Sequence, residues 1–311
     1  MKKIIIWGHP LHSHTTSYIH YGFFKALKYM GYDVYWIENN EQNSNFDFNN
    51  SIVFAERMDM SFLPIVDNAT YFIHNLYLDF EDKYKVDYKN VWNYLVYHES
   101  YNLPDDLKKI DNHSWISEKT KTIMIRWGTD LLPFEIDDIS PVLYDKDKPY
   151  NYFVGSMQGP YIQNFAQISN LHGKEFINLG GYSGIESKNN NNSRFYTIED
   201  NIKFVQDSYL SFDIRESMTV DDNPGYIACR IFKNISYGKW TGSNLPGISE
   251  FLDGNITENK NLEKLYLNLE KDYSNATEKR IRLAMNYIKE NHTYINRVKS
   301  LFIVLGENNE N

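Results

Sequence analysis

Apolar residues come in short runs along most of this chain, each closed by a polar residue, Gly or Pro, and the runs alternate with stretches of helical period. Residues 3–7 (KIIIW) read as a buried strand. Residues 15–30 carry Tyr18, Ile19, Phe23, Ala26, Leu27 and Met30 at helical spacing, and Gly31 stops that helix before the strand-like DVYWIEN. The result is a βαβ unit with a long first loop from Gly8 to His14. Further runs at 51–55 (SIVFA), 70–74 (TYFIH), 93–98 (NYLVYH), 114–118 (SWISE) and 122–127 (TIMIRW) predict a parallel sheet covered by helices on both faces.

The rhythm breaks over residues 134–150, an acidic stretch with Pro141 and Pro149 that reads as a linker. It restarts with NYFVGSM (151–157) as a strand, IQNFAQISNLH as a helix and EFINLGG as a strand. The polar run SKNNNNS (187–193) is an exposed loop. IEDNIKFVQDS then reads as a helix, YLSFDIR as a strand, DDNPGYIACRIFKNISYG as a loop opening into a helix, and KWTGSN as a strand and turn. Residues 258–305, from ENKNLEK to FIVL, read as helical throughout. The expected fold class is therefore α/β: an N-terminal Rossmann-like domain over 1–140, a second over 141–285, and a helical C-terminal segment, 286–311, able to pack back on the first.

Length agrees with that division, because 311 residues exceed the size at which single cores usually stop growing. The chain is rich in aromatics, with 25 Tyr, 18 Phe and 6 Trp, a composition suited to stacking on sugars or bases although most such rings serve cores. A formal net charge of −9 argues against a broad nucleic-acid-binding face, which needs clustered Lys and Arg. The single cysteine, Cys229, excludes an intramolecular disulfide and a Cys-based zinc site, and its setting in IACRIF reads as a buried helix position. Only Ile4–Trp7 are apolar ahead of Gly8, too short for a signal-peptide core or a membrane span, so the expected location is the cytoplasm.

Candidate chemistry gathers at the ends of the predicted strands. The segment 221–238 is an acidic, Gly-containing loop leading into a helix with Arg230, Lys233 and Asn234. A helix N-terminus offers unpaired N–H groups and a positive dipole end to an anion, and Arg230 and Lys233, three apart, share a face and add two charges. A basic pair of this kind also occurs as a plain solvated face, so the reading leans on its company. Gly155 and Ser156 end one strand of the second domain, Gly180 and Gly181 the next, with Tyr182 behind them, and Arg215 ends a third. Small or polar residues at successive strand ends suit one diphosphate-binding cleft edge.

In the first domain, His9, His12 and His14 follow the first strand and His20 lies one turn into the helix. This cluster could ligate zinc, but lacks obvious further ligands, and otherwise lines a cleft with Gly8 and Thr15. Glu99 ends the strand NYLVYH beside His98, a placement suited to accepting a proton from a hydroxyl. Glu99 also reads as a loop cap, and Asp130 in WGTDLLP as a plain helix cap.

The opening IIIWGHPLHSHTTSYIHYGFFKALKYMGYDVYWIE, with YFVGSM, FINLGGY and DDNPGYIACRIFKNISYG in the later places, resembles the GT-B glycosyltransferases, and the order of segments is similar to phage DNA β-glucosyltransferase. The resemblance implies two Rossmann-like domains facing each other across a cleft, with a nucleoside-diphosphate sugar, UDP- or GDP-linked, as co-substrate, no cofactor and no metal. It implies a glycan or other hydroxyl acceptor as the second partner. Donor binding would then fall to Gly155, Ser156, Gly180, Tyr182, Arg215, Asn223, Gly225, Tyr226, Arg230, Lys233 and Asn234, and proton abstraction to Glu99 or His14. Two departures stand out: Lys233 sits where many members have a ribose-binding glutamate, and Gln158 and neutral neighbours replace the arginines that follow the Gly-Ser turn in the phage enzyme. Two alternatives stay open, a zinc-dependent hydrolase built on the His9, His12 and His14 loop, and a GT-B-like protein that binds nucleotide sugars without turnover.

Overall fold

The computed structural model describes residues 2–8, 15–76, 90–95, 106–155, 159–179, 196–214 and 227–306. His9, His12, His14, Glu99, Ser156, Gly180, Tyr182, Arg215, Asn223, Gly225 and Tyr226 lie outside these residues. Packing divides the chain into two units, one running to Asp130 and resuming at Tyr294, the other spanning Leu131–Thr293.

The first unit is built on an eight-stranded sheet. In chain order its elements are β1 (Lys3–Gly8), α1 (Thr15–Tyr29), β2 (Val34–Glu38), β3 (Ser51–Glu56), β4 (Thr70–His74), β5 (Val91–Leu95), β6 (Lys108–Lys109), β7 (Ser114–Ser117) and β8 (Thr122–Ile125). The sheet order is β2-β1-β3-β4-β5-β8-β7-β6. The first six in that order are parallel, whereas β7 pairs antiparallel with β8, and β6 with β7. The uniformly parallel sheet expected from the sequence is thus corrected at one edge. Only Glu118–Lys121 separate β7 from β8, with Lys121 at φ 49, and so short a turn can close a hairpin but not a parallel crossover.

Alternate residues of the central strands serve two cores. One face stacks Phe54 on Phe72 at 5.3 Å and on Phe23 of α1 at 5.4 Å. The other gathers Trp7, Val53, Ala55, Tyr71 and Ile73 around Phe48. The last helix, here α9 (Tyr294–Val304), closes the first face. Tyr294 meets Phe23 at 5.0 Å, and Gly22 leaves room for its ring. Arg297 of α9 is fully buried, donating to the carbonyl oxygens of Arg126 and Trp127 beyond β8, and burial pulls its guanidinium down to about 9.

In the second unit, α2 (Pro133–Asp138) interrupts the stretch expected to be a linker. Pro133 suits the first helical position, and the Glu135 carboxylate accepts from Leu132 N at 2.6 Å, so local capping chemistry stabilises a helix that composition alone concealed. There follow β9 (Tyr150–Phe153), α3 (Gly159–His172), β10 (Glu175–Asn178), α4 (Ile198–Asp207), β11 (Ser211–Asp213), α5 (Cys229–Ser236), β12 (Thr241–Ser243), α6 (Ile248–Phe251), β13 (Thr257–Glu258), α7 (Leu262–Ser274) and α8 (Glu278–Asn291). Caps mark several helix starts. Thr197 and Asp200 form a reciprocal box at α4, and Asn261 and Thr277 accept from backbone N–H groups at α7 and α8.

Strands β9 and β10 pair in parallel, as do β11, β12 and β13. The two ladders are joined by side chains. Leu210 N donates to the Asn151 side chain at 2.9 Å and Tyr152 N to Ser208 Oγ at 2.9 Å, and both Asn151 and Ser208 are fully buried. Helix α5 turns Ile231, Phe232 and Ile235 into the core of this unit, while Cys229, at its first turn, is partly exposed rather than buried.

Candidate functional site

Parallel strands deliver their chemistry to one edge. In the second unit, the carboxyl ends of β9 and β11 share an edge because a single side chain, Arg230 of α5, touches both. Its Nε donates to Val154 O at 3.0 Å, and its Nη1 meets Asp213 Oδ1 at 2.6 Å. The guanidinium also lies over the Phe153 ring, 3.7 Å from its centroid. Arg230 is 9% exposed and Asp213 fully buried, so this ion pair sits where solvent screens it little.

Gly155 is required by the same arrangement. Its φ of +140° is a conformation that L side chains avoid, and a Cβ there would fall 2.2 Å from Arg230 Nη2. The turn after β9 therefore brings bare backbone against a fixed cation, the geometry suited to receiving an anion. Lys233, one turn further along α5, is partly exposed, and Asn234 is buried. Asp213 was not legible in the sequence as a site residue. The available signal was a carboxylate ending an apolar strand, SFD, one crossover before an arginine.

In the first unit, β3 and β4 place Glu56 opposite His74 in parallel register. His74 Nδ1 lies 3.1 Å from Glu56 Oε2, both side chains being buried, and the His20 ring of α1 is 6.2 Å from that of His74. Beside them Gly8 ends β1 at φ +153°, where a Cβ would fall 2.6 Å from Asp59 Oδ2. Trp7 Nε1 donates to Asp59 O at 2.8 Å. In the sequence His74 simply closes the apolar run TYFIH and Glu56 follows SIVFA, with nothing to pair them. Thr15 opens α1. Among the described residues, no group of three or more His, Cys, Asp and Glu could hold a metal ion.

No family model matches the sequence, and no curated protein matches it. Solved structures do. Trehalose-6-phosphate synthase OtsA superposes over 99% of this chain and 99% of its own, with a TM-score of 0.54 at 10% identity. The fold is GT-B. An apo structure of OtsA agrees, with a TM-score of 0.52, 9% identity and coverage of 97% of this chain and 98% of that one. At such identities the likeness rests on the arrangement of strands and helices. The GT-B fold accounts for the α/β build of both units, and it offers no support for the zinc hydrolase alternative. No helix among the described residues is long and apolar enough to cross a membrane.

Proposed function

We propose that this GT-B chain is a metal-independent glycosyltransferase that moves a sugar from a UDP- or GDP-linked donor to the hydroxyl of a glycan or other small acceptor in the cytoplasm. One observation carries the reading: a buried, fully positioned guanidinium, Arg230, held against the Gly155 turn at the carboxyl edge of the second unit's sheet. In open α/β sheets, ligands bind at that edge. Arg230, with Lys233 on the same helix, would oppose the charge that builds on the departing diphosphate, the type of preorganised electrostatic stabilisation that lowers barriers most. Ser156, Gly180, Tyr182, Arg215, Asn223, Gly225, Tyr226 and Asn234 complete the proposed donor side. Gly8, His9, His12 and Thr15 form the proposed acceptor-side loop. Glu99 or His14 would take the acceptor proton. One solved structure this chain superposes on is a trehalose-6-phosphate synthase, a name that agrees with sugar chemistry.

The test is a thermal-shift screen against UDP, GDP, CDP and dTDP and their sugars, with and without EDTA, since a ligand that binds the native state alone raises Tm. A nucleotide-selective rise unchanged by EDTA is expected. No response to any nucleotide, together with destabilisation by EDTA, would overturn the proposal and return the case to a metal hydrolase.

A further inference from the structure

Among the described residues, three consecutive ones and one distant carboxylate contact the guanidinium of Arg230. The Phe153 ring lies beneath it, Val154 O accepts from Nε, and the missing side chain of Gly155 leaves the space that Nη2 fills. These contacts set the plane and the reach of the fork. Among the described residues, the carboxylate that meets its charge is that of Asp213, which is buried and takes Nη1 at 2.6 Å from the end of the neighbouring ladder. A long flexible side chain is thereby reduced to one orientation before any ligand arrives, which removes an ordering cost from binding.

We infer that Asp213 is the positioning residue of the diphosphate site: it aims Arg230 at the Gly155 turn and so governs both the affinity for the nucleoside diphosphate and its departure. The inference rests on the function proposed above. Asp213 itself is fully buried, so in this reading it acts through the arginine. Its carboxylate charge compensates the guanidinium in the resting state, so the cation can be kept buried without a ligand. When a diphosphate reaches the turn it meets a donor already in place. A structural ion pair, by contrast, would tie β9, β11 and α5 together with no consequence for ligand beyond global stability.

Four proteins separate these roles: the wild type, Asp213→Asn, Asp213→Ala, and the double variant Asp213→Ala with Arg230→Met. Each is measured for Tm and for binding of UDP and GDP by calorimetry, and, with the sugar donor that the screen identifies, for kcat and KM of donor and acceptor. Asp213→Asn keeps an oxygen for Nη1, so about a threefold loss of affinity is expected, against tenfold or more for Asp213→Ala. The loss should appear in kcat and in donor KM, with acceptor KM unchanged. The double variant removes both charges and should regain much of the Tm lost by Asp213→Ala while binding remains at least tenfold weak. Wild-type affinity in Asp213→Asn, or in a folded Asp213→Ala, would overturn the inference and leave a structural ion pair, while wild-type affinity in the double variant would remove Arg230 from the site and the inference with it. If Asp213→Ala does not fold, Asp213→Asn still decides. A wild type that binds neither UDP nor GDP overturns the donor reading itself, and the inference falls with it, an outcome seen before any variant is made.

Discussion

Replacing Gly155 with Ala tests the central geometry directly. The new Cβ would lie 2.2 Å from Arg230 Nη2, roughly 1.3 Å inside ordinary contact. Either the backbone or the arginine must move. The φ of +140° adds strain for any L residue, about 1–3 kcal/mol. The arginine cannot retreat cheaply, because leaving its place breaks the bonds to Asp213 and Val154 O, each a hydrogen bond from a charged donor worth about 1.5–3 kcal/mol. Losing one of them on top of the strain gives a total of roughly 2.5–6 kcal/mol. Urea unfolding followed by far-UV circular dichroism would measure it, and a double-mutant cycle with Arg230→Ala would apportion it. Without the guanidinium only the backbone strain remains, so the coupling should be about 1.5–3 kcal/mol. Gly173→Ala is the internal control: its φ is +66° and a Cβ there would have no atom within 4 Å, so about 1–2 kcal/mol is expected. Zero coupling, or a Gly155→Ala cost no larger than that of Gly173→Ala, would refute the packing of Nη2 on Gly155.

Further predictions concern ligand, chemistry and core. Arg230→Ala should weaken nucleoside-diphosphate binding by about 1–3 kcal/mol in calorimetry, and unchanged affinity would remove this residue from the site. Glu99→Gln should leave donor binding intact and abolish transfer in a radiolabelled-sugar assay; retained turnover would move the proton-accepting role to His14 or to the acceptor. Lys239 is fully buried, donating to the carbonyl oxygens of Gln206 and Ser208, and burial, with Lys148 nearby, holds its pKa well below the ordinary lysine value. A base depressed in the folded state binds more protons when unfolded. Wild-type stability should therefore rise relative to Lys239→Met as pH climbs from the depressed value towards 10.5, and hold level below that depressed value. Parallel denaturation curves for the two proteins at every pH would contradict this.

The alternation of apolar runs and helical periods was enough to predict the α/β build and most of its elements, from KIIIW at β1 to IEDNIKFVQDS at α4. Burial on both faces of a sheet leaves an unmistakable local pattern, and caps such as Thr197 and Gly31 are themselves local. The sequence also pointed to Gly155 and Arg230 separately, through a strand-ending glycine and a basic helix start. What it did not contain was their contact. The antiparallel edge at β7 and β8 escaped because strand direction depends on whether a turn is long enough to cross over, which periodicity does not register. Helix α2 escaped because one carboxylate, Glu135, capping one backbone N–H outweighed an unpromising composition. Asp213 and Glu56 escaped for the deepest reason. Each acts through a partner many residues away, Arg230 and His74, and a pairing between strand ends exists only once the sheet has brought those ends together. Local sequence determined which segments would become strands and helices; the tertiary fold alone decided which charges would meet, because that choice depends on strand order and register rather than on neighbours in the chain.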